Sequence, residues 1–193
     1  MTFPTAYFPS ISYLKELCVH QSIQIETHEH WIKQSIRNRC EILTANGIQR
    51  LTVPILHEGN KQSIESVKIV YSDAWTLKHW QAIKTAYGKA PYFEAYHFEI
   101  EGLIKEMHQH LIDKNNAILW FFIDAWDLPI KYESTDHFVE YKANDFRIQN
   151  WLTREEMPFY QQVFGFEKVF TPNLSILDLL FCEGPLGRNF ILN

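Results

Sequence analysis

The sequence has little cysteine, little glycine and no surplus of basic charge. Its 3 cysteines, Cys18, Cys40 and Cys182, are odd in number and form no CxxC pair. That excludes a disulfide framework or a zinc ribbon. It predicts reduced, buried thiols in a cytoplasmic protein. The 7 glycines and 8 prolines are scattered, so no linker or domain boundary is expected. The formal net charge is −5, with no basic tail. General nucleic-acid binding, which draws its affinity from neutralised phosphates, is therefore not expected. Apolar runs are short, such as Ile118 to Ile123, whereas a membrane-spanning helix needs about 20 apolar residues. Met1-Thr2-Phe3-Pro4 lacks the basic segment and apolar stretch that would open a secretory signal. No GxSxG elbow, P-loop or GxGxxG is present, so classical hydrolase, P-loop and Rossmann readings have no support.

Aromatic residues are plentiful, at 15% of the 193 residues. They can build a heavy core or line a pocket. A chain of this length suits one domain and buries roughly 70% of the surface its unfolded form exposes.

Local patterns predict the elements. A helix runs from Ser12 to about Val19, capped by Ser10 or Ser12. Gln21 to Ile25 and Ile36 to Leu43 read as strands. Asn46-Gly47 marks a hairpin turn into a strand from Gln49 to Leu56. Ile64 to Tyr71 is a further strand. Ser72 or Asp73 caps a helix from Ala74 to Tyr87, ended by Gly88. Helices follow over Phe93 to Leu111 and Asn116 to Trp126, then a strand at Ile130 to Tyr132. A short helix is expected within Thr153 to Phe164, and another from Ser175 through Phe181. The sum is a mixed α/β fold with an α+β tendency: an early, largely antiparallel sheet packed by several helices in a single compact domain over residues 1–193.

Several polar constellations could carry chemistry. Lys33, Arg37, Asn38 and Arg39 place at least two cations side by side, and arginine forks fit carboxylate or phosphate. The plainer reading is a solvated basic face offset by Glu26, Glu29 and Glu41. On the helix of Lys78-His79-Trp80, His79 lies in the apolar stripe with Trp75, Ile83 and Tyr87. It is either a tunable base or a hydrogen-bonded core histidine. Cys40, beside Arg37 and Arg39, is the better of the candidate thiol nucleophiles, although nothing local marks an activated thiolate. His28-Glu29-His30 lacks metalloprotease spacing and a third ligand, so no metal site and no cofactor is expected. Ser175 and Asp178 have the spacing of a capping box; Asp178 could instead orient a base.

Six segments in this order resemble the WbqC-like family of bacterial proteins. They are Thr5-Ala-Tyr-Phe-Pro-Ser-Ile-Ser-Tyr13, Ser35-Ile-Arg-Asn-Arg-Cys-Glu-Ile42, Leu51-Thr-Val-Pro-Ile55, Trp75-Thr-Leu-Lys-His-Trp-Gln-Ala-Ile83, Tyr87-Gly-Lys-Ala-Pro-Tyr-Phe93 and Asn173-Leu-Ser-Ile-Leu-Asp-Leu-Leu-Phe181. The chain departs from the family at Thr5-Ala6-Tyr7, where a Gln-Pro-Tyr-like start is usual, and it is shorter between Ile130 and Tyr160. The resemblance implies a setting in bacterial surface-polysaccharide, O-antigen-like synthesis, with glycine transfer onto a sugar as a suggested activity. The resulting expectation is an acyl or aminoacyl transferase acting on an amino sugar. His79 would be the base and Asp178 its orienter, with Asn38 or Tyr92 donating to the oxyanion. Arg37, Arg39, Lys33 and Lys78 would bind a small anionic or sugar-nucleotide ligand. The alternative is a non-catalytic binding or assembly protein of the same pathway.

Overall fold

The computed structural model describes residues 1–56, 59, 62–142, 145–164 and 170–193. A three-stranded parallel sheet is threaded from both ends of the fold, in the order β1 (Thr2–Pro4), β2 (Ser22–Glu26), β5 (Lys131–Ser134). Parallel neighbours need a crossover, and α1 (Ile11–His20) makes the first. Ser10 caps it by accepting from the Tyr13 N–H, and its buried stripe is Ile11, Leu14, Leu17 and Cys18. It stops at Gln21, whose φ of 56° turns the chain into β2.

The second crossover carries the hairpin of β3 (Arg39–Thr44) and β4 (Gly47–Thr52), then three helices: α2 (Trp75–Tyr87), α3 (Phe93–Lys105) and α4 (Leu111–Ala125). The hairpin forms where its turn signal predicts. Gly47 has a φ of 103°, open to glycine at little cost, and the Thr44 hydroxyl donates to its carbonyl at 2.8 Å. After β5 the chain wanders to α5 (Ile176–Glu183) and α6 (Gly187–Leu192). No described helix is long and apolar enough to cross a membrane.

The mixed α/β class and the helices are as the sequence predicts, but strand direction and several boundaries differ. Of the described strands, only β3 and β4 pair antiparallel. The main sheet is parallel because its third strand returns after the helices, and β1 is too short to show a pattern. Ile64 to Tyr71 is not a strand: a 3-10 turn at Ile64–Ser66 is followed by isolated bridges, Ile69 to Ile55 and Lys68 to His110. Neither Ser72 nor Asp73 caps α2; its N-cap is Ala74 in the left-handed region, with no side-chain bond. The helix expected over Phe93 to Leu111 stops at Lys105. There the buried Lys114 amine donates to the carbonyls of Leu103 at 2.7 Å, Ile104 at 3.3 Å and Glu106. A lysine so placed satisfies the orphan carbonyls of a helix end. Residues 153–164 hold no helix. Side-chain amides keep the chain extended instead: Asn173 donates to the Trp151 and Thr153 carbonyls, and Gln162 to that of Thr171.

One apolar cluster joins these elements, running from Phe3 and Tyr7 through Trp75, Phe122 and Trp126 to Phe181. Each large apolar side chain fully buried here contributes roughly 1.5–3 kcal/mol.

Candidate functional site

In open α/β sheets, ligand sites gather beyond the carboxyl ends of the strands. Here those ends converge on charge. β2 ends at Glu26, followed by Thr27, His28 and Glu29, and the loop after β5 supplies Thr135, Tyr141, Asp145 and Arg147. Arg37, just before β3, enters the same space. Glu26 and Glu29 are both 0% exposed, and Arg37 and Arg147 are each 2% exposed. Charges this deep persist only when paired and hydrogen-bonded.

The pairing is dense. Arg37 donates from Nε to Glu29 at 2.8 Å, with its Nη2 2.6 Å from the same oxygen, and Nη2 also reaches the Arg147 carbonyl at 3.2 Å. Arg147 grips Asp145 with a two-point fork, Nε at 2.8 Å and Nη2 at 2.6 Å. Its Nη1 donates to Glu26 at 2.7 Å and to the Val139 carbonyl at 2.6 Å. Glu26 also accepts from the Thr135 hydroxyl and from the N–H groups of His28 and Val139. The Tyr141 ring centroid lies 4.2 Å from the Arg147 guanidinium, and the Tyr141 hydroxyl points at Glu29.

The environments push two of these carboxyls apart. Burial raises Glu29 above the usual glutamate range, against the opposing pull of Arg37. Burial also acts to raise Asp145, but hydrogen bonds from the Arg147 side chain, the Arg147 N–H and the Lys142 N–H outweigh it and hold Asp145 low. Asp145 also lines a cleft of about 430 Å³, together with Thr2, Gln24, Glu140, Lys142 and Phe146.

Tyr7 bridges from this region to His79. Its N–H donates to the Ile36 carbonyl at 3.0 Å, and its hydroxyl is 3.0 Å from His79 Nδ1. The Thr52 carbonyl is the other partner of the His79 ring, and burial, the larger influence, lowers the His79 pKa to about 4. A carbonyl can only accept, so Nε2 carries the ring proton, Nδ1 accepts from Tyr7, and the imidazole is neutral. Asn38 closes the same wall: its Nδ2 donates to the Val53 carbonyl and its own carbonyl accepts from the Val53 N–H, both at 2.8 Å. Asn115 ties the wall together by donating to the Thr5 hydroxyl and to the Arg37 carbonyl.

The residues singled out from sequence therefore part company. Arg37, Asn38 and His79 are linked through Tyr7 and its neighbours, all buried. Arg39 lies on the outer face of the hairpin, partly buried. Lys33 is exposed, and Lys78 is an exposed partner of Asp73 at 3.9 Å. Tyr92 packs its ring against Gly184, where a Cβ would come within 2.4 Å of it. Asp178 is buried and accepts from Tyr160 at 2.5 Å and Gln162 at 3.0 Å. His79 is oriented by Tyr7, and Asp178 has different partners. Ser175 is the N-cap of α5, accepting from the Leu177 N–H. Cys40 is not activated by its arginine neighbours: burial pushes its thiol pKa up. No group of three or more metal-binding side chains occurs among the described residues.

Sequence reading missed Arg147, Asp145 and Tyr141 altogether. The partners that draw Arg147 and Tyr141 into the site, Glu26 and Glu29, lie more than a hundred residues away, and the Asp145–Arg147 pair two residues apart gives no sign of burial by itself. It took Glu26 and Glu29 only as counter-charges, and Glu29 is indeed the partner of Arg37.

The model of the WbqC-like protein family matches residues 5–149, and the chain belongs to this family. The match takes in the whole buried charge cluster and His79, and ends before Arg154 and Asp178. More particularly, the chain is similar to the uncharacterized protein Rv1507c of Mycobacterium tuberculosis. The two are 28% identical over 224 residues, covering 96% of this chain and 91% of that protein. No solved structure matches the chain.

Proposed function

We propose that this protein serves bacterial surface-polysaccharide synthesis in the cytoplasm, as one domain over residues 1–193, by holding an amino sugar in the cleft beside Asp145. On that amine it acts as an acyl or aminoacyl transferase of the glycine type. The observation that carries this reading is Asp145, kept ionised by Arg147 and lining a cleft with Gln24, Glu140 and Phe146. An ionised carboxylate accepts from a sugar ammonium, an amide accepts from and donates to hydroxyls, and an aromatic ring covers an apolar sugar face. The volume, about 430 Å³, suits a small ligand.

In the transfer step the bound ammonium first gives one proton to solvent, and the freed lone pair of the amine nitrogen then forms a bond to the activated acyl carbon. The bond from that carbon to the donor's leaving group breaks, and the leaving group departs with the electron pair. The amine proton passes to a carboxylate, and Glu140, exposed at the cleft, is placed to take it. In this reading His79, Asn38 and Arg37 hold the wall behind the site, while Tyr92 and Asp178 support packing.

A second reading is a non-catalytic binding protein of the same pathway. The burial of His79, with both ring nitrogens engaged, favours it. So do the raised pKa values of all three cysteines. Purified protein assayed with amino-sugar nucleotides and activated glycine donors separates the two. Product formation, reduced at least tenfold in Glu140→Ala, supports the transferase. Binding of the amino sugar without turnover, weakened in Asp145→Asn and Gln24→Ala, supports the binding protein. No preference for the free amine over its N-acetylated form would overturn both.

A further inference from the structure

We infer that the outer face of the β3–β4 hairpin binds a phosphate-bearing anion of the diphosphate class through Arg39, Arg50 and Arg154. This does not rest on the reading of the Asp145 cleft. Strand register sets the face. Arg39 pairs with Thr52, and Glu41 with Arg50. Residues two apart share a face, so Arg39, Glu41, Arg50 and Thr52 lie together, with Arg39 diagonal to Arg50 at a spacing long side chains span.

A third guanidinium joins them from a distant loop. Arg154 donates from Nη1 to the Asn173 carbonyl at 2.8 Å and from Nη2 to Glu41. Arg50 donates to the other Glu41 oxygen from Nε at 3.2 Å and Nη2 at 2.7 Å. Glu41 thus serves two guanidiniums while Arg39 lies beside them without a carboxylate, and among the described residues two positive charges on this face go unbalanced in a chain whose net charge is −5. The acids beside Arg154 in sequence, Glu155 and Glu156, line a different cleft with Ser12 and Lys15.

Arg39 is the unfilled member. Its Nε is buried and has no hydrogen-bond partner, and among the described residues no carboxylate pairs with it. A guanidinium in that state is short of an acceptor rather than of space. Arginine forks meet phosphoryl oxygens in two-point contacts. Three forks with two unbalanced charges match a diphosphate, whereas a lone carboxylate would leave one charge over.

The test is calorimetric titration of the full chain at low salt with inorganic pyrophosphate, uridine diphosphate and acetate. Pyrophosphate is expected to bind, and acetate not. Arg39→Ala and Arg50→Ala should each weaken pyrophosphate about tenfold, the size expected for one charge-assisted contact. Lys89→Ala, an exposed cation elsewhere, should leave it unchanged. Arg39→Ala should also leave the ligand-free melting temperature unchanged, since no partner is lost. Tighter uridine diphosphate than pyrophosphate supports a nucleotide as the source, and equal affinity supports the diphosphate alone. Wild-type pyrophosphate affinity in Arg39→Ala, or no pyrophosphate binding at all, overturns the inference. Either failure leaves the Asp145 cleft standing, because that site is read with a different ligand.

Discussion

Arg37 and Arg39 stand two residues apart in sequence and meet opposite fates. Arg37 turns inward, is held by Glu29 and the Arg147 carbonyl, and is almost wholly buried. Arg39 turns to the outer face of a hairpin where guanidiniums outnumber carboxylates. In the interior cluster every charged group is paired, because desolvation makes any unpaired ion there very costly. The hairpin face tolerates imbalance because water screens it. A saturated cluster holds a fold together, and an unsaturated one is available to a ligand. The two regions should therefore respond differently to perturbation.

The largest effect is expected at the centre of the interior cluster. Arg147→Ala removes the partner of both Glu26 and Asp145 at once. A loss of about 3–5 kcal/mol is expected in denaturant unfolding, the usual result of stranding a buried charge. A loss below about 1 kcal/mol would mean the cluster is not the anchor the comparison makes it.

Acid should act on the interior next. The His79 pKa is lowered in the folded protein to about 4 from 6.5. Its contribution is therefore fully present above pH 6.5 and is lost as pH falls toward about 4, up to roughly 3 kcal/mol. Asp145 works in the same direction at lower pH: its folded pKa is held below 3.8, so its contribution goes as pH falls through that range. Glu29 has the opposite sign. Its raised pKa favours the fold below 4.5, and that gain is lost as pH rises through the folded value. Stability measured from neutral pH down to the acid limit should fall less steeply in His79→Gln than in the wild type. An unchanged slope would remove His79 from the account.

On the hairpin face the costs should be small. Arg154→Ala gives up a bond to Glu41 and one to the Asn173 carbonyl at a partly exposed site. About 1 kcal/mol is expected. Arg39→Ala should change stability by no more than about 0.5 kcal/mol. If Arg39→Ala proved as damaging as Arg147→Ala, the division between a structural and an available arginine cluster would collapse.

How legible each region was in the sequence follows from how local its causes are. The α1 and α5 caps at Ser10 and Ser175 and the hairpin turn at Gly47 were all readable, since a cap or turn needs only neighbouring backbone groups. The break between α3 and α4 was not. Nothing near Lys105 marks it, and the cap comes from Lys114 on the next helix. Nor was the parallel sheet, whose third strand arrives only after the helices. At the site, Arg37, Asn38 and His79 were visible as unusual polar residues, but their roles were not. Whether an arginine holds a ligand or a glutamate depends on what folds against it.

By itself, the sequence determined the family, the mixed α/β class, the hairpin and most helices. Side-chain periodicity, turn chemistry and ordered family segments act over short stretches or can be matched one by one. Only the tertiary structure decided that Arg37 meets Glu29 and Arg147, that His79 is sealed between Tyr7 and Thr52, and that Arg39 shares a face with Arg50 and Arg154. Those outcomes turn on desolvation and on contacts reaching across a hundred residues or more, as between Arg37 and Arg147. No local pattern in a chain encodes the dielectric its side chains will meet, and that is what sorts a buried counter-ion from an open binding group.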